Sequence, residues 1–181
     1  EWTYPDVWDY KSASKTPKLS TARGGMPGVQ VLLDNVACGA SVTVRAEGAL
    51  ARLDVEYYEL IAVTVNETVR LEQITEGTPP RPFRGCPSRF APYRVYDCVK
   101  PLGDTLSPED GVAALYFCFP VPRDFAPDTI AGVLAITVDG TEITVPVTID
   151  VYPAVIPEKE HLTIVNSINR TVPATYHQLK E

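Results

Sequence analysis

From Thr141 to Val151 the chain reads TEITVPVTIDV, with Ile143, Val145, Val147, Ile149 and Val151 on one side of the alternation and mostly polar residues on the other. A period of two marks a strand with one buried face. The same reading predicts strands at 29–34, 41–47, 53–65, 68–74, 113–119 and 130–138, all rich in Val, Ile, Thr and Tyr, which suit a pleated, half-buried surface. Asp139-Gly140 separates the last two runs. It tolerates the positive φ that a type I′ turn needs at both central positions, so a hairpin is expected there. Pro146 lies in the second arm and has no N–H to give a ladder, which predicts an edge position or a bulge. Seven strands with short turns point to an all-β fold, an immunoglobulin-like antiparallel β-sandwich, with an up-and-down barrel as the alternative. The 17 prolines argue against a helical protein, because interior proline breaks helices.

Three stretches depart from this pattern. Residues 1–25 are poorly periodic and carry Trp2, Tyr4, Trp8 and Tyr10 ahead of a polar Lys/Ser/Thr run. Residues 76–111 form a long Pro/Gly/Arg-rich excursion, of the kind that is functional or held by another surface. After the last strand comes Tyr152-Pro153-Ala154-Val155-Ile156-Pro157, a proline-punctuated connector, and then a fresh apolar run, Leu162-Thr163-Ile164-Val165. The expected organisation is a sandwich over 1–152, a linker over 153–160, and the start of a further domain over 161–181.

Composition narrows the function classes. With 181 residues and 45% hydrophobic content the chain is globular and suits one sizeable domain. A net charge of −7 disfavours a general nucleic-acid or anionic-membrane partner. No apolar run approaches the roughly 20 residues of a membrane helix. Cys38, Cys86, Cys98 and Cys118 are too few and too scattered for a disulfide scaffold or a zinc site, and neither His161 nor His177 has a partner at metal-ligand spacing. No metal or cofactor is expected. A Cys86–Cys98 bridge within the irregular segment is one possibility, and Cys118, inside LYFCFPV, reads as a small buried hydrophobe.

Arg81, Arg84, Arg89, Arg94 and Lys100 lie among Phe83, Phe90, Tyr93 and Tyr96 in the long excursion. Arginine and aromatic residues are enriched in interface cores, so Arg84, Arg89, Arg94 and Tyr96 are candidates for a contact with a following domain. A solvated loop or a bound ligand are the other readings. Trp2 and Trp8 are candidate sugar-stacking rings; the simpler reading is that the N-terminal segment lays its aromatics over the open edge of the sandwich. Carboxylates cluster at Asp54/Glu56/Glu59, Glu109-Asp110 and Glu158/Glu160. Adjacency in sequence does not establish the two-carboxylate separation that glycoside chemistry requires, and no catalytic residue is assigned. Arg23-Gly24-Gly25-Met26-Pro27-Gly28 lacks the Lys-Ser/Thr ending and the following helix of a phosphate loop and reads as a turn.

Four segments taken together carry a resemblance: TARGGMPGVQVLL (21–33), VEYYELIAVTV (55–65), APYRVYDCVKPL (91–102) and the run from Leu115 to Asn166, in which Val121-Pro122-Arg123-Asp124-Phe125-Ala126-Pro127-Asp128-Thr129 introduces the hairpin. Their order and spacing resemble the N-terminal β-sandwich domain of bacterial family 123 glycoside hydrolases and their uncharacterised relatives. The resemblance implies a non-catalytic accessory domain in a parent enzyme that hydrolyses a glycosidic bond, at an N-acetylhexosamine using the substrate's own acetamido group. The catalytic carboxylates would lie in a barrel beyond Glu181, so none is carried onto this chain. The implied partner is the chain's own C-terminal catalytic domain, met through the 76–111 excursion and the 152–160 connector. The implied source is bacterial, a cytoplasmic setting being favoured over a secreted one. Carbohydrate is the further partner under the rival reading of an independent carbohydrate-binding module. An immunoglobulin-like adhesion or interaction domain is the third.

Overall fold

The computed structural model describes residues 3–7, 13–66 and 91–158, and in these eight strands form two packed four-stranded sheets. The strands are β1 (Lys18–Arg23), β2 (Gly28–Leu33), β3 (Val42–Gly48), β4 (Glu56–Val65), β5 (Tyr93–Pro101), β6 (Ala113–Cys118), β7 (Asp128–Val138) and β8 (Thr141–Val155). A single 3-10 turn, Ala49–Arg52, links β3 to β4. The first sheet runs β1-β8-β7-β3 and the second β2-β6-β4-β5. The all-β sandwich expected from the alternation is therefore the fold. The strand expected at 68–74 lies outside the described residues.

The core is the layer between the sheets. Ile130, Leu134 and Ile136 of β7 and Val147, Ile149 and Val151 of β8 face Leu33, Leu115 and Phe117 of the second sheet. Each such side chain contributes roughly 1.5–3 kcal/mol by leaving water. The alternation in β8 fades at its hairpin end, where Ile143 is exposed. The β7–β8 turn has Asp139 at φ 46° and Gly140 at φ 80°. Asp139 Oδ1 accepts from the Ser41 N–H (2.8 Å) and hydroxyl (3.0 Å), clamping the turn to the start of β3.

Pro146 illustrates local edge behaviour in a strand that is central overall. Thr148 donates its N–H to Pro17 O, on the β1 side of β8. Donors two residues apart point the same way, so Pro146 presents its missing N–H to that side, where β1 has not yet begun, since the pairing starts at Lys18–Thr148.

Two departures from the sequence reading concern whole strands. β1 arises from the polar run KLSTAR, and it pairs in parallel with β8, so the first sheet is not wholly antiparallel. Parallel neighbours need a long crossover, and here it is the entire intervening domain. The 76–111 excursion is not one loop: β5 occupies Tyr93–Pro101, pairs with β4 and forms the edge of the second sheet. A β-bulge hid it. Ile61 pairs with Cys98 and Ala62 with Tyr96, leaving Asp97 as an extra residue that breaks the period of two. The connector expected from 153 begins as strand, because β8 continues to Val155.

Candidate functional site

Two surfaces of the sandwich carry more than packing requires. The first is the end at which β8 terminates. Arg23 donates from Nε (3.2 Å) and Nη2 (2.8 Å) to Pro153 O, Arg123 Nε donates to Ile156 O (3.0 Å), and Ile156 donates its own N–H to Arg23 O (2.8 Å). Residues 153–156 are thus fixed against the β1–β2 turn and the hairpin-introducing stretch. Gly24, at φ 79°, lets the chain turn there, and a Cβ on it would sit 2.8 Å from Arg123 Cγ. Around these arginines lie Met26 (58% exposed), Tyr152 (54%), Val155 and Ile156, four of the six exposed large hydrophobic residues among the described ones. An apolar cluster rimmed by guanidinium groups has the composition of an interaction surface.

The second surface is the outer face of the β2-β6-β4-β5 sheet. It carries its own apolar cluster, in which Leu60, Ala62, Tyr96, Val112 and Ala114 are buried and Leu32 and Tyr116 half-buried. The N-terminal segment crosses it: Thr3 O accepts the Tyr96 N–H (2.9 Å) while the Thr3 hydroxyl donates to Gln30 Oε1 (2.5 Å). Tyr4 packs edge-on against Tyr93, with ring centroids 5.9 Å apart. Between that segment and the β5 bulge lies an open recess of about 330 Å³, floored by Leu60 and Tyr116 and edged by Gln30, Asp97 and Val99. Gly28 makes room for the Tyr116 phenol, since a Cβ there would meet its hydroxyl at 2.4 Å. Burial raises the Tyr116 pKa above its ordinary value, and the contact with Cys118 adds to this.

The residues singled out from the sequence are distributed as follows. Arg94 is half-exposed and forms a bidentate pair with Glu109, its Nη2 lying 2.7 Å from Oε1. That bond holds the guanidinium pKa above its ordinary value. Tyr96 is buried and donates its hydroxyl to Val112 O (3.1 Å). Arg84, Arg89, Trp2 and Trp8 lie outside the described residues, as does Cys86. Cys98 is an exposed free thiol and Cys118 is buried. Val65 and Tyr93 pair at the end of the sandwich remote from Arg23 and Ile156; residues 67–90 lie outside the described residues.

The carboxylates are largely engaged in structure. Glu109 serves Arg94, Glu47 and Glu142 both bind Arg45, and Glu56 accepts from the Tyr58 hydroxyl (2.8 Å). Glu59, one of the clustered carboxylates of the sequence, is fully buried, which its neighbours in the chain do not signal. Its Oε1 accepts the Ser107 N–H (2.6 Å), and Lys100 Nζ forms an ion pair with Oε2 at 2.8 Å. Among the described residues no group of three or more His, Cys, Asp or Glu is arranged to hold a metal ion.

No family model and no curated protein sequence matches the chain. Among solved structures it is similar to a family 123 glycoside hydrolase from Clostridium perfringens, studied for glycolipid glycan hydrolysis. The TM-score is 0.57 and the identity 16%, over 81% of this chain and 24% of that one. At that identity the likeness is one of fold. The chain spans about a quarter of that enzyme's length.

Proposed function

We propose that residues 1–152 are the non-catalytic N-terminal sandwich of a glycoside hydrolase, that 153–160 connect it to a catalytic domain, and that 161–181 open that domain. The observation that carries this reading is the match of most of this chain to a quarter of a family 123 enzyme. The sandwich supports its neighbour through the end where β8 terminates. There the first residues of the connector are bonded to Arg23 and Arg123, and Met26, Tyr152 and Ile156 offer an apolar surface to whatever follows. Arg94 and Tyr96 already spend their polar groups within the sandwich, so the proposed contact uses the exit end in their place.

The test is the intact mass of the native protein from its source, with glycosidase assays on it and on residues 1–181. The expected result is a mass far above 19.8 kDa, with activity on aryl glycosides in the native protein and none in the fragment. A native mass near 19.8 kDa overturns the reading.

A further inference from the structure

We propose that the recess on the outer face of the β2-β6-β4-β5 sheet binds one ring of a neutral saccharide. The inference rests on the lining and stands whether or not the chain belongs to an enzyme.

The first argument is the placement of Asp97. In a regular strand successive side chains alternate between faces, and a bulge re-aims one of them. Asp97 is the unpaired residue of the β5 bulge, and with it Tyr96, Asp97 and Val99 all border the same recess. The Asp97 carboxylate makes no hydrogen bond or ion pair with any described residue, whereas Glu47, Glu56, Glu59, Glu109 and Glu142 all do. It stands as an open acceptor beside an apolar floor.

The second argument is the chemistry of the other walls. Thr3 occupies Gln30 Oε1, which leaves the amide nitrogen to donate. Tyr116 and Leu60 supply apolar area, and Val99, 57% exposed, is the sort of side chain a sheet face normally hides. An acceptor and a donor at the rim of a floor that includes a tyrosine ring match a sugar, whose hydroxyls need both kinds of partner and whose C–H face packs on apolar surface. Among the described residues no lysine or arginine lines the recess, so they offer an anionic ligand no counter-charge. The volume of about 330 Å³ is at the small end for ligand sites, which fits one ring and not an extended chain.

The experiment is a titration of the ¹⁵N-labelled chain with glucose, galactose and N-acetylglucosamine, followed by amide shifts and by saturation transfer to the sugar protons. At least one of the sugars is expected to bind with a Kd of about 1 mM, ordinary for a small ligand on an open site. Shifts should centre on Gln30, Leu60, Asp97 and Val99. Asp97→Ala should weaken binding about tenfold or more, the effect of losing a hydrogen bond to a charged group. Val99→Trp should abolish it by filling the recess. Both positions are exposed, so the spectra of the variants should stay dispersed. Three results overturn the proposal: no sugar binds, binding maps to Trp2 or Trp8 and ignores both variants, or choline chloride binds the recess as well as any sugar does.

Discussion

Replacing Lys100 by methionine should cost about 2 kcal/mol of stability, and the number follows from the asymmetry of the pair it breaks. Glu59 sits opposite Leu115 on the core side of β4, its side chain 1% exposed, whereas Lys100 is 41% exposed. Removing one partner of a fully buried pair costs roughly 3–5 kcal/mol because a charge is left without compensation. Here the lysine keeps part of its hydration, and exposed pairs contribute roughly 0–1 kcal/mol, so the expected loss falls between the two. The carboxylate is not wholly abandoned, since the Ser107 N–H still binds Oε1 at 2.6 Å. For a domain of this size a loss of about 2 kcal/mol lowers Tm by roughly 4–8 °C. Glu59→Gln keeps an acceptor for Ser107 and should cost about 1 kcal/mol, the worth of an ordinary hydrogen bond. The double variant should then recover about 1 kcal/mol relative to the sum of the singles, as coupled neighbours do. Urea denaturation followed by circular dichroism reads all four proteins. Strict additivity, or a Lys100→Met variant within about 0.5 kcal/mol of the parent, would show that the lysine does not compensate the buried charge.

Further outcomes can be checked on the same material. Gly132→Ala should cost about 3 kcal/mol, the upper end for overpacking, because its Cβ would meet Glu47 O at 2.3 Å and Leu50 N at 3.0 Å, backbone atoms that cannot rotate away; denaturant midpoints measure this. Asp139→Ala should cost about 2 kcal/mol by losing both Ser41 bonds and straining a residue at φ 46°. Asp139→Asn should stay within about 0.5 kcal/mol, since asparagine tolerates the left-handed region and retains an acceptor. Exposed Cys38 and Cys98 should react with an aromatic disulfide reagent in the native state, whereas Cys118, whose thiol pKa is pushed up by burial, should react only on unfolding. Burial also raises the pKa of Tyr57 and Tyr116. Groups that hold their protons more tightly when folded contribute stability that is fully present below their unfolded pKa and lost as pH rises through the folded value. Melting temperature should therefore be flat to about pH 8 and fall above about pH 9, where the thiol and then the phenols titrate; a Tm that rises there contradicts the burial.

The parts of this molecule that were legible in the sequence are those where one face is buried and nothing interrupts the period. The β7–β8 hairpin is such a case: its turn dipeptide, its core residues apart from the exposed Ile143, and the odd placement of Pro146 follow from the string TVDGTEITVPVTIDV. β1 was illegible because it is an edge strand that hands only Leu19 to the core, so KLSTAR carries almost no alternation. β5 was illegible because of its bulge. Its period of two breaks at Asp97, and the prolines and arginines before it weigh the segment toward loop. The recess is the consequence of that same irregularity, so the signal that could have located it was the failure of alternation in YRVYDCVKP. Nor does composition reveal that Glu59 is buried, since burial of a carboxylate depends on which lysine and which N–H the fold brings to it.

The exit of the chain follows from how β8 is held. It pairs with β7 from Thr141 to Val151 and with β1 from Thr148 onward, so the strand passes from one neighbour to the other before it ends. Fifteen residues of strand span roughly 50 Å, which places the Ser41 clamp on the hairpin and the arginine clamp on residues 153–156 at opposite ends of the sandwich. Between them β8 is bonded on at least one side throughout. Residues joined by a flexible linker would lose orientational freedom on docking, and that loss subtracts from the contact energy. Residues 153–156, bonded to Arg23 and Arg123, have lost that freedom during folding of the sandwich itself. Under the proposed accessory role, the apolar residues at this end, Met26, Tyr152 and Ile156, would need little area to hold the neighbouring domain. In that role, this pre-ordering of residues 153–156 is what would let a small sandwich orient its neighbour.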